Sequence, residues 1–390
     1  MNKKALIHVV KTNKYIYSMI ASLGKMALRV LSKVVSTDDK LILFNSFGCA
    51  KFDDSPRVIY EMMLQDERFK DMKLVWAFMD PTKHPEVARS IKADSLLFFI
   101  TALKARCWIT NSSMQRGIDF KGTNTFSYNT WHGTPIKKMG AALYPDIDNS
   151  IINNCDVILT QSEYETKTMA EAWKLPVSRF KQFGYPRNDD LVNVTEERKK
   201  SIKEELNIPH DKKVILYAPT FRDYVVEKNV FSIKIPINYS YWEEKLSDEW
   251  VFVLRAHYEI GNRIALPQNN MWFDYSDYQP LNDLIIASDI LISDYSSIFF
   301  DYAITNQPML GYVYDFDEYN EKRGMYFDIR KELSCYEKDT DMVDAIASID
   351  LKKEKEKCEL FRKKYVSEYG HAGQKSIDYI YDSIKETRKY

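Results

Sequence analysis

The sequence predicts two doubly wound α/β domains set one after the other, and three observations lead there. The chain has 390 residues, room for two domains at about 100–200 residues each. Short apolar, β-branched runs alternate with helical stretches, the pattern of parallel sheets flanked by helices. The alternation pauses near Asn188–Thr195 and then restarts. In the first half, Lys40–Asn45, Lys73–Phe78, Cys107–Thr110, Thr125–Trp131 and Asp156–Thr160 read as strands, with helices at Arg57–Asp66 and Glu163–Trp173. In the second half the strands are Lys213–Tyr217, Trp250–Arg255, Asp289–Ser293 and Met309–Tyr312. Helices follow at Glu196–Leu206, Pro280–Ala287, Ile298–Ile304 and in the long tail. The expected division is a segment 1–39, a first domain 40–192 and a second domain 193–390.

Composition narrows the function classes. With 45% apolar and 28% charged residues, this is the profile of a folded globular protein. The 55 basic and 56 acidic residues nearly cancel, so no global field points to nucleic acid. The five cysteines are scattered and none forms a C-x-x-C pair, which favours a reducing, cytosolic setting. The balance hides an asymmetry, because residues 1–40 carry eight Lys/Arg against two Asp, a net +6. Within that stretch Ile16, Ile20, Leu23, Ala27, Val30 and Val34 recur at helical spacing, with Lys25, Arg29 and Lys33 on the opposite face. A spanning helix needs about 20 apolar residues, and those three cations interrupt the run. The expectation is a basic amphipathic helix on an anionic membrane surface. A helix packed on its own domain with solvated lysines is the competing reading.

The polar motifs fall just after strands, where open α/β sheets bind ligands. Trp131-His132-Gly133-Thr134-Pro135 joins a turn to two lysines, and His132 at a strand end suits a general base near neutral pH. Arg255-Ala256-His257 ends a strand with two side chains facing the same way, a pair suited to pyrophosphate. Asp294-Tyr295-Ser296-Ser297 leads into a helix on which Asp301 lies one turn beyond Ser297. The serines read either as a phosphate cradle or as a helix cap. Pro219-Thr220 and Arg187 also follow strands, although Arg187 and Arg222 each have a solvated-surface reading. No histidines stand at metal-ligand spacing, and Asp146-Ile147-Asp148 and Asp315-Phe316-Asp317 are weak metal signals, so no metal is expected. P-loop, G-x-G-x-x-G and G-x-S-x-G motifs are missing from the sequence.

Taken in order, WHGTPIKKMG, GYPRNDDL, LYAPTFRD, LRAH, ISDYSSIFFDYA and KRGMYFD resemble the CDP-glycerol glycerophosphotransferase family, the bacterial teichoic acid primases and polymerases and related capsule enzymes. The resemblance covers roughly residues 40–385. It implies a GT-B fold, two Rossmann-like domains with the active site in the cleft between them and no cofactor. It makes His132 the general base, with Trp131 to Pro135 lining the first-domain side, and Arg187 a donor-contacting arginine. Pro219 and Thr220 fall near the nucleotide and Arg255, Ala256 and His257 at the pyrophosphate, with His257 also catalytic. Ser296, Ser297 and Asp301 hold the donor, and Arg323 is a further phosphate ligand. The implied reaction passes glycerol phosphate from CDP-glycerol to a hydroxyl of an acceptor linked to undecaprenyl diphosphate, releasing CMP. It would run peripherally, on the cytoplasmic face of the membrane. CDP-ribitol as donor, a UDP-sugar glycosyltransferase and a non-catalytic membrane scaffold are the alternatives, and primase, polymerase and capsule enzyme stay open.

Overall fold

The computed structural model describes residues 14–146, 152, 154–220, 222, 226–227, 230–231, 236–256 and 266–386. Helix α1 (Lys14–Val34) precedes β1 (Asp38–Asn45), α2 (Asp54–Gln65), β2 (Lys73–Phe78), β3 (Ser90–Lys92), α3 (Leu96–Lys104), β4 (Ala105–Thr110) and β5 (Phe126–Asn129). Then come β6 (Val157–Thr160), α4 (Glu163–Trp173) and β7 (Phe180–Gln182). These seven strands form one parallel sheet in the order β3-β2-β1-β4-β5-β6-β7.

The second series is α5 (Glu196–Glu205), β8 (Lys213–Tyr217), the small hairpin β9 (Val226–Glu227) and β10 (Val230–Phe231), α6 (Tyr239–Leu246), β11 (Trp250–Leu254), β12 (Trp272–Asp274) and α7 (Leu281–Ala287). It continues with β13 (Ile290–Ser293), α8 (Ile298–Tyr302), β14 (Met309–Tyr312), α9 (Phe316–Arg323), β15 (Ser334–Tyr336), α10 (Asp339–Ala347), α11 (Leu351–Tyr365) and α12 (Ala372–Glu386). Its six-stranded sheet runs β12-β11-β8-β13-β14-β15, again wholly parallel. Counted by appearance within each sheet, both have the strand order 3-2-1-4-5-6, the Rossmann arrangement, with a seventh strand on the first. The chain order therefore reverses between β1 and β4 in one sheet and between β8 and β13 in the other. Each sheet is covered on both faces by apolar clusters, so its strands are buried runs of Val, Ile, Leu and Phe. The fold is GT-B, as the sequence predicts.

All nine expected strands are present. The stretch expected as Thr125–Trp131 stops at Asn129, because the Asn129 side chain accepts the Trp131 amide (2.8 Å) and Trp131 turns into the left-handed region, φ 55.

The last helix packs with the first sheet rather than with the second, which it follows in sequence. In α12, Ile377, Ile380 and Ile384 are buried in the same cluster as Ile42, Phe44, Tyr128 and Ile158 of the first domain. Burial of one such side chain is worth about 1.5–3 kcal/mol. The ends of α12 are fastened there too. Asp189 accepts the Ala372 and Gly373 amides (2.9 and 2.7 Å), and the Arg106 guanidinium donates to the Ile384 carbonyl (3.0 Å). A carboxylate at the N-terminus and a cation at the C-terminus both complement the helix dipole. By packing, residues 372–386 belong with the first domain.

Of the expected membrane segment, residues 1–13 lie outside the described residues, as do the side chains of Ile16, Ile20 and Leu23. Further along α1, Ala27 is exposed and so are Met26, Val30, Leu31 and Val34, while Leu28 packs against the first domain. Beside it, α3 exposes Leu96 and Leu97. Among the described residues no helix is long and apolar enough to cross a membrane.

Candidate active site

The two chain reversals present their strand ends to one cleft. From the first domain come the turn after β1, Asn111 after β4 and the loop after β5. From the second come Pro219-Thr220 after β8, Arg255 after β11 and Asp294–Ser297 after β13. His132 stands in the loop after β5, its ring stacked on Trp131 with centroids 4.4 Å apart. Its Nδ1 lies 2.7 Å from the Asn111 carbonyl. A carbonyl only accepts, so Nδ1 carries the proton and the neutral ring leaves Nε2 with a free lone pair. Crowding by protein lowers the His132 pKa, and the Arg187 charge acts in the same sense against the Asn111 carbonyl and Asp54. His132 nevertheless stays open to solvent. The result is an imidazole that is neutral near pH 7.

Gly133 sets how close the domains come. Its φ is +152, and a Cβ there would stand 2.7 Å from Ser297 Oγ and 2.9 Å from Ser297 Cβ. Side by side with this contact, the next residues form a short antiparallel bridge, Lys137 opposite Met325. In it Tyr326 N donates to Ile136 O (2.8 Å) and Lys138 N to Gly324 O (3.1 Å). The HGTPIKK and KRGMYFD motifs are thus hydrogen-bonded to each other across the cleft, and half-buried Arg323 flanks the bridge.

On the second-domain side, Ser296 Oγ accepts the Ile298 amide at 3.3 Å, a weak cap, whereas Ser297 makes no side-chain cap bond to α8. Thr220 N donates to Asp294 Oδ1 (2.9 Å), and Thr220 Oγ1 is buried with no partner among the described residues. Pro219 is buried beside it. Arg255 donates to the Ser276 and Tyr275 carbonyls. Burial lowers its pKa, while Asp53 across the cleft and Asp274 favour its charge. Ala256 N donates to Ser276 Oγ (3.0 Å). His257 lies outside the described residues.

Arg187 and Asp301 sit differently from simple ligand contacts. The Arg187 guanidinium lies between two carboxylates, 3.2 Å from both oxygens of Asp54 and 3.0 Å from both oxygens of Asp301. It rests over the Tyr185 ring at 4.7 Å, and Asn188 adds a 2.6 Å bond to Asp301. All three charged side chains are at most 13% exposed. Burial opposes the Arg187 charge, but Asp301 and Asp54 more than compensate and its pKa rises. Burial raises the Asp301 pKa and Arg187 opposes that. The cluster clamps α2 of the first domain to α8 of the second. Asp54, its third member, was not singled out from the sequence, although K-F-D-D-S-P follows a strand as the other motifs do.

Arg222 is not a surface charge. It is buried, pairing with Asp294 (2.9 Å) and gripping both oxygens of Asp315 (2.7 and 2.9 Å). Both oxygens of Asp315 are thereby engaged. Asp146 is described, but Ile147 and Asp148 lie outside the described residues. Among the described residues no three His, Cys, Asp or Glu side chains converge as a metal site.

A family model described as CDP-Glycerol:Poly(glycerophosphate) glycerophosphotransferase matches residues 27–385. The chain belongs to this family. It is 32% identical over 373 residues to the teichoic acid poly(glycerol phosphate) polymerase of Staphylococcus epidermidis, covering 89% of this chain and 51% of that one. It is 31% identical over 347 residues to the teichoic acid glycerol-phosphate transferase of Staphylococcus aureus, covering 83% of this chain and 86% of the relative. The chain thus spans about half the length of the first of these relatives. Among solved structures, the wall teichoic acid polymerase TagF matches with a TM-score of 0.84 at 30% identity over 100% of this chain and 98% of that chain. One TagF structure, from a 15-minute soak with CDPG, matches with a TM-score of 0.83 at 29% identity, covering 94% of each chain. A putative UDP-N-acetylglucosamine 2-epimerase from Listeria monocytogenes matches at 0.51 and 12% identity, covering 89% of this chain and 97% of that one, a likeness of fold alone.

Proposed function

We propose that this glycerophosphotransferase-family chain transfers glycerol phosphate from CDP-glycerol to a hydroxyl of a lipid-linked acceptor, releasing CMP, with His132 as the general base. The observation that carries the reading is the Nδ1 bond to the Asn111 carbonyl, which leaves Nε2 as the free basic atom at the cleft floor. The acceptor oxygen attacks the glycerol-linked phosphorus while Nε2 takes its proton, and the CMP oxygen leaves with the bonding pair. Such transfer depends on positioning and on cations near the developing charge. Arg255, His257 and Arg323 supply charge, and Thr220, Ser296 and Ser297 supply hydroxyls. Pro219, Ala256, Trp131, Thr134 and Pro135 shape the walls. Arg187 and Asp301 serve the donor side by holding the two domains in register.

The acceptor, linked to undecaprenyl diphosphate, places the work at the cytoplasmic face of the membrane. Exposed Met26, Val30 and Val34 on α1 and Leu96 and Leu97 on α3 support peripheral docking there, with Arg29 and Lys33 facing anionic headgroups.

The test is acceptor-dependent CMP release from CDP-glycerol, CDP-ribitol or a UDP-sugar by wild type, His132→Ala and His257→Ala. The expected result is release from CDP-glycerol, reduced about 10²–10⁴-fold in His132→Ala. Turnover confined to a UDP-sugar, or full activity in His132→Ala, sinks the reading.

A further inference from the structure

We propose that Glu165 is a positioning residue, its buried carboxylate tying the loop that carries His132 to the arginine clamp and so setting where the base stands. This rests on the reaction proposed above, and no motif in the sequence pointed to it. Glu165 is fully buried in the first turn of α4. One oxygen accepts the Tyr185 hydroxyl and the other the Gln161 amide (2.8 Å). The Thr134 hydroxyl, two residues beyond His132, is reached through the same Gln161. Thr134 in turn accepts from Gln161 Nε2 at 2.7 Å. Tyr185 carries Arg187 on its ring. A single carboxylate thus fastens Thr134 through Gln161 on one side and, through Tyr185, the Asp54–Arg187–Asp301 cluster on the other.

An ordinary capping glutamate does less. Ser162 already caps α4, accepting the Glu165 amide at 3.2 Å, and one bond back to the preceding backbone completes a capping box. The Tyr185 hydroxyl is a donor beyond that need, and both it and the Thr134 that Gln161 holds come from motifs that line the cleft. Burial raises the Glu165 pKa to about 7, against the pull of Tyr185, Gln161, Thr134 and the Arg187 charge. Those are the groups facing it from the β5, β6 and β7 loops, with Tyr164 on its own helix. Below that pH the carboxyl gains a proton and becomes a donor toward partners that are themselves donors, so the ties loosen.

Glu165→Gln keeps an oxygen for the Gln161 amide but turns an NH₂ toward a hydroxyl donor. The expected result is a fall in kcat of about tenfold or more, since an ångström of misplacement costs up to about 10²-fold, with KM for CDP-glycerol changed far less. The acid limb of the kcat/KM profile should go from two protons in wild type to one in the variant. In a cycle with Tyr185→Phe the two losses should be strongly non-additive. An unchanged acid limb, additive losses, or kcat within twofold of wild type overturns the proposal. Should Glu165→Gln not fold, Thr134→Val and Tyr185→Phe, which remove only hydroxyls, take its place in the cycle. Failure of the reaction itself would show as no CMP release by wild type. The tie is then read from the NMR titration of the His132 ring, whose midpoint should move in Glu165→Gln, and an unmoved midpoint refutes it.

Discussion

Gly133→Ala is the sharpest probe of how the cleft closes. The new methyl carbon would stand 2.9 Å from Ser297 Cβ and 2.7 Å from its Oγ, whereas carbon atoms rest comfortably at about 3.5–4.0 Å. The hydroxyl can rotate away, but the Ser297 Cβ is fixed to the backbone. Relief therefore needs a separation of the loop from α8 of about 0.6–1 Å. At φ +152 a side chain also strains the backbone by about 1–3 kcal/mol. A displacement of this size between base and donor side is expected to lower kcat by about 10²-fold. Steady-state CMP release measures it in Gly133→Ala, Ser297→Gly and the double variant. If contact is the cause, the alanine costs much less when position 297 has no side chain. An equal cost in both backgrounds would refute the contact argument and leave backbone strain as the cause. Full activity in Gly133→Ala would refute both.

Other consequences follow from the same geometry. Because crowding lowers the His132 pKa, the ring is neutral and competent above the ordinary histidine value of about 6.5. The acid limb that its protonation gives to kcat/KM should then fall at lower pH than 6.5, as a pH–rate profile will show. Arg187→Ala leaves Asp54 and Asp301 facing each other without their cation. The expected loss is about 3–5 kcal/mol in chemical denaturation, with Arg187→Lys intermediate because an ammonium cannot bond all four oxygens. Ile380→Ala should cost about 2–5 kcal/mol, and hydrogen exchange should show that loss in the β1–β7 sheet rather than in the sheet nearer in sequence. Val30→Glu with Leu96→Glu should weaken binding to anionic vesicles at least about tenfold, each apolar side chain being worth about 1.5–3 kcal/mol when buried, while turnover of a soluble acceptor analogue stays unchanged.

Much of the architecture was legible because the central strands of both sheets are continuous apolar runs such as KLILFN and WVFVLR. Six strands escaped notice: β3, β7, β12 and β15 are the edges of the two large sheets, three residues each and partly exposed, and β9 and β10 form a hairpin of two residues each. An edge strand takes its conformation from the neighbour it pairs with, and a three-residue strand has no pattern to read. The motifs after strands were legible for the same reason as the strands, since their position follows from the alternation. What the sequence did not show was which charges meet. Arg187 and Asp301 are 114 positions apart, and Asp54 is further still from Asp301, so their cluster exists only once the domains are docked. Glu165 and Arg222 look like surface charges in a linear reading, and only burial distinguishes them. The crossing of α12 was hidden too, because an amphipathic tail helix does not say which sheet it will cover.

That crossing shapes how the protein is made. On the ribosome the first domain emerges ahead of the second, yet three isoleucines of its core and the partners of Asp189 and Arg106 arrive more than 160 residues after β7. The first sheet therefore waits for α12, with one apolar face uncovered until that helix arrives. The second sheet can close as soon as β15 and its helices appear. Emergence of α12 is thus what seals the half that carries His132, and a nascent chain halted before residue 372 should present that half to chaperones and proteases while its second sheet is already shut.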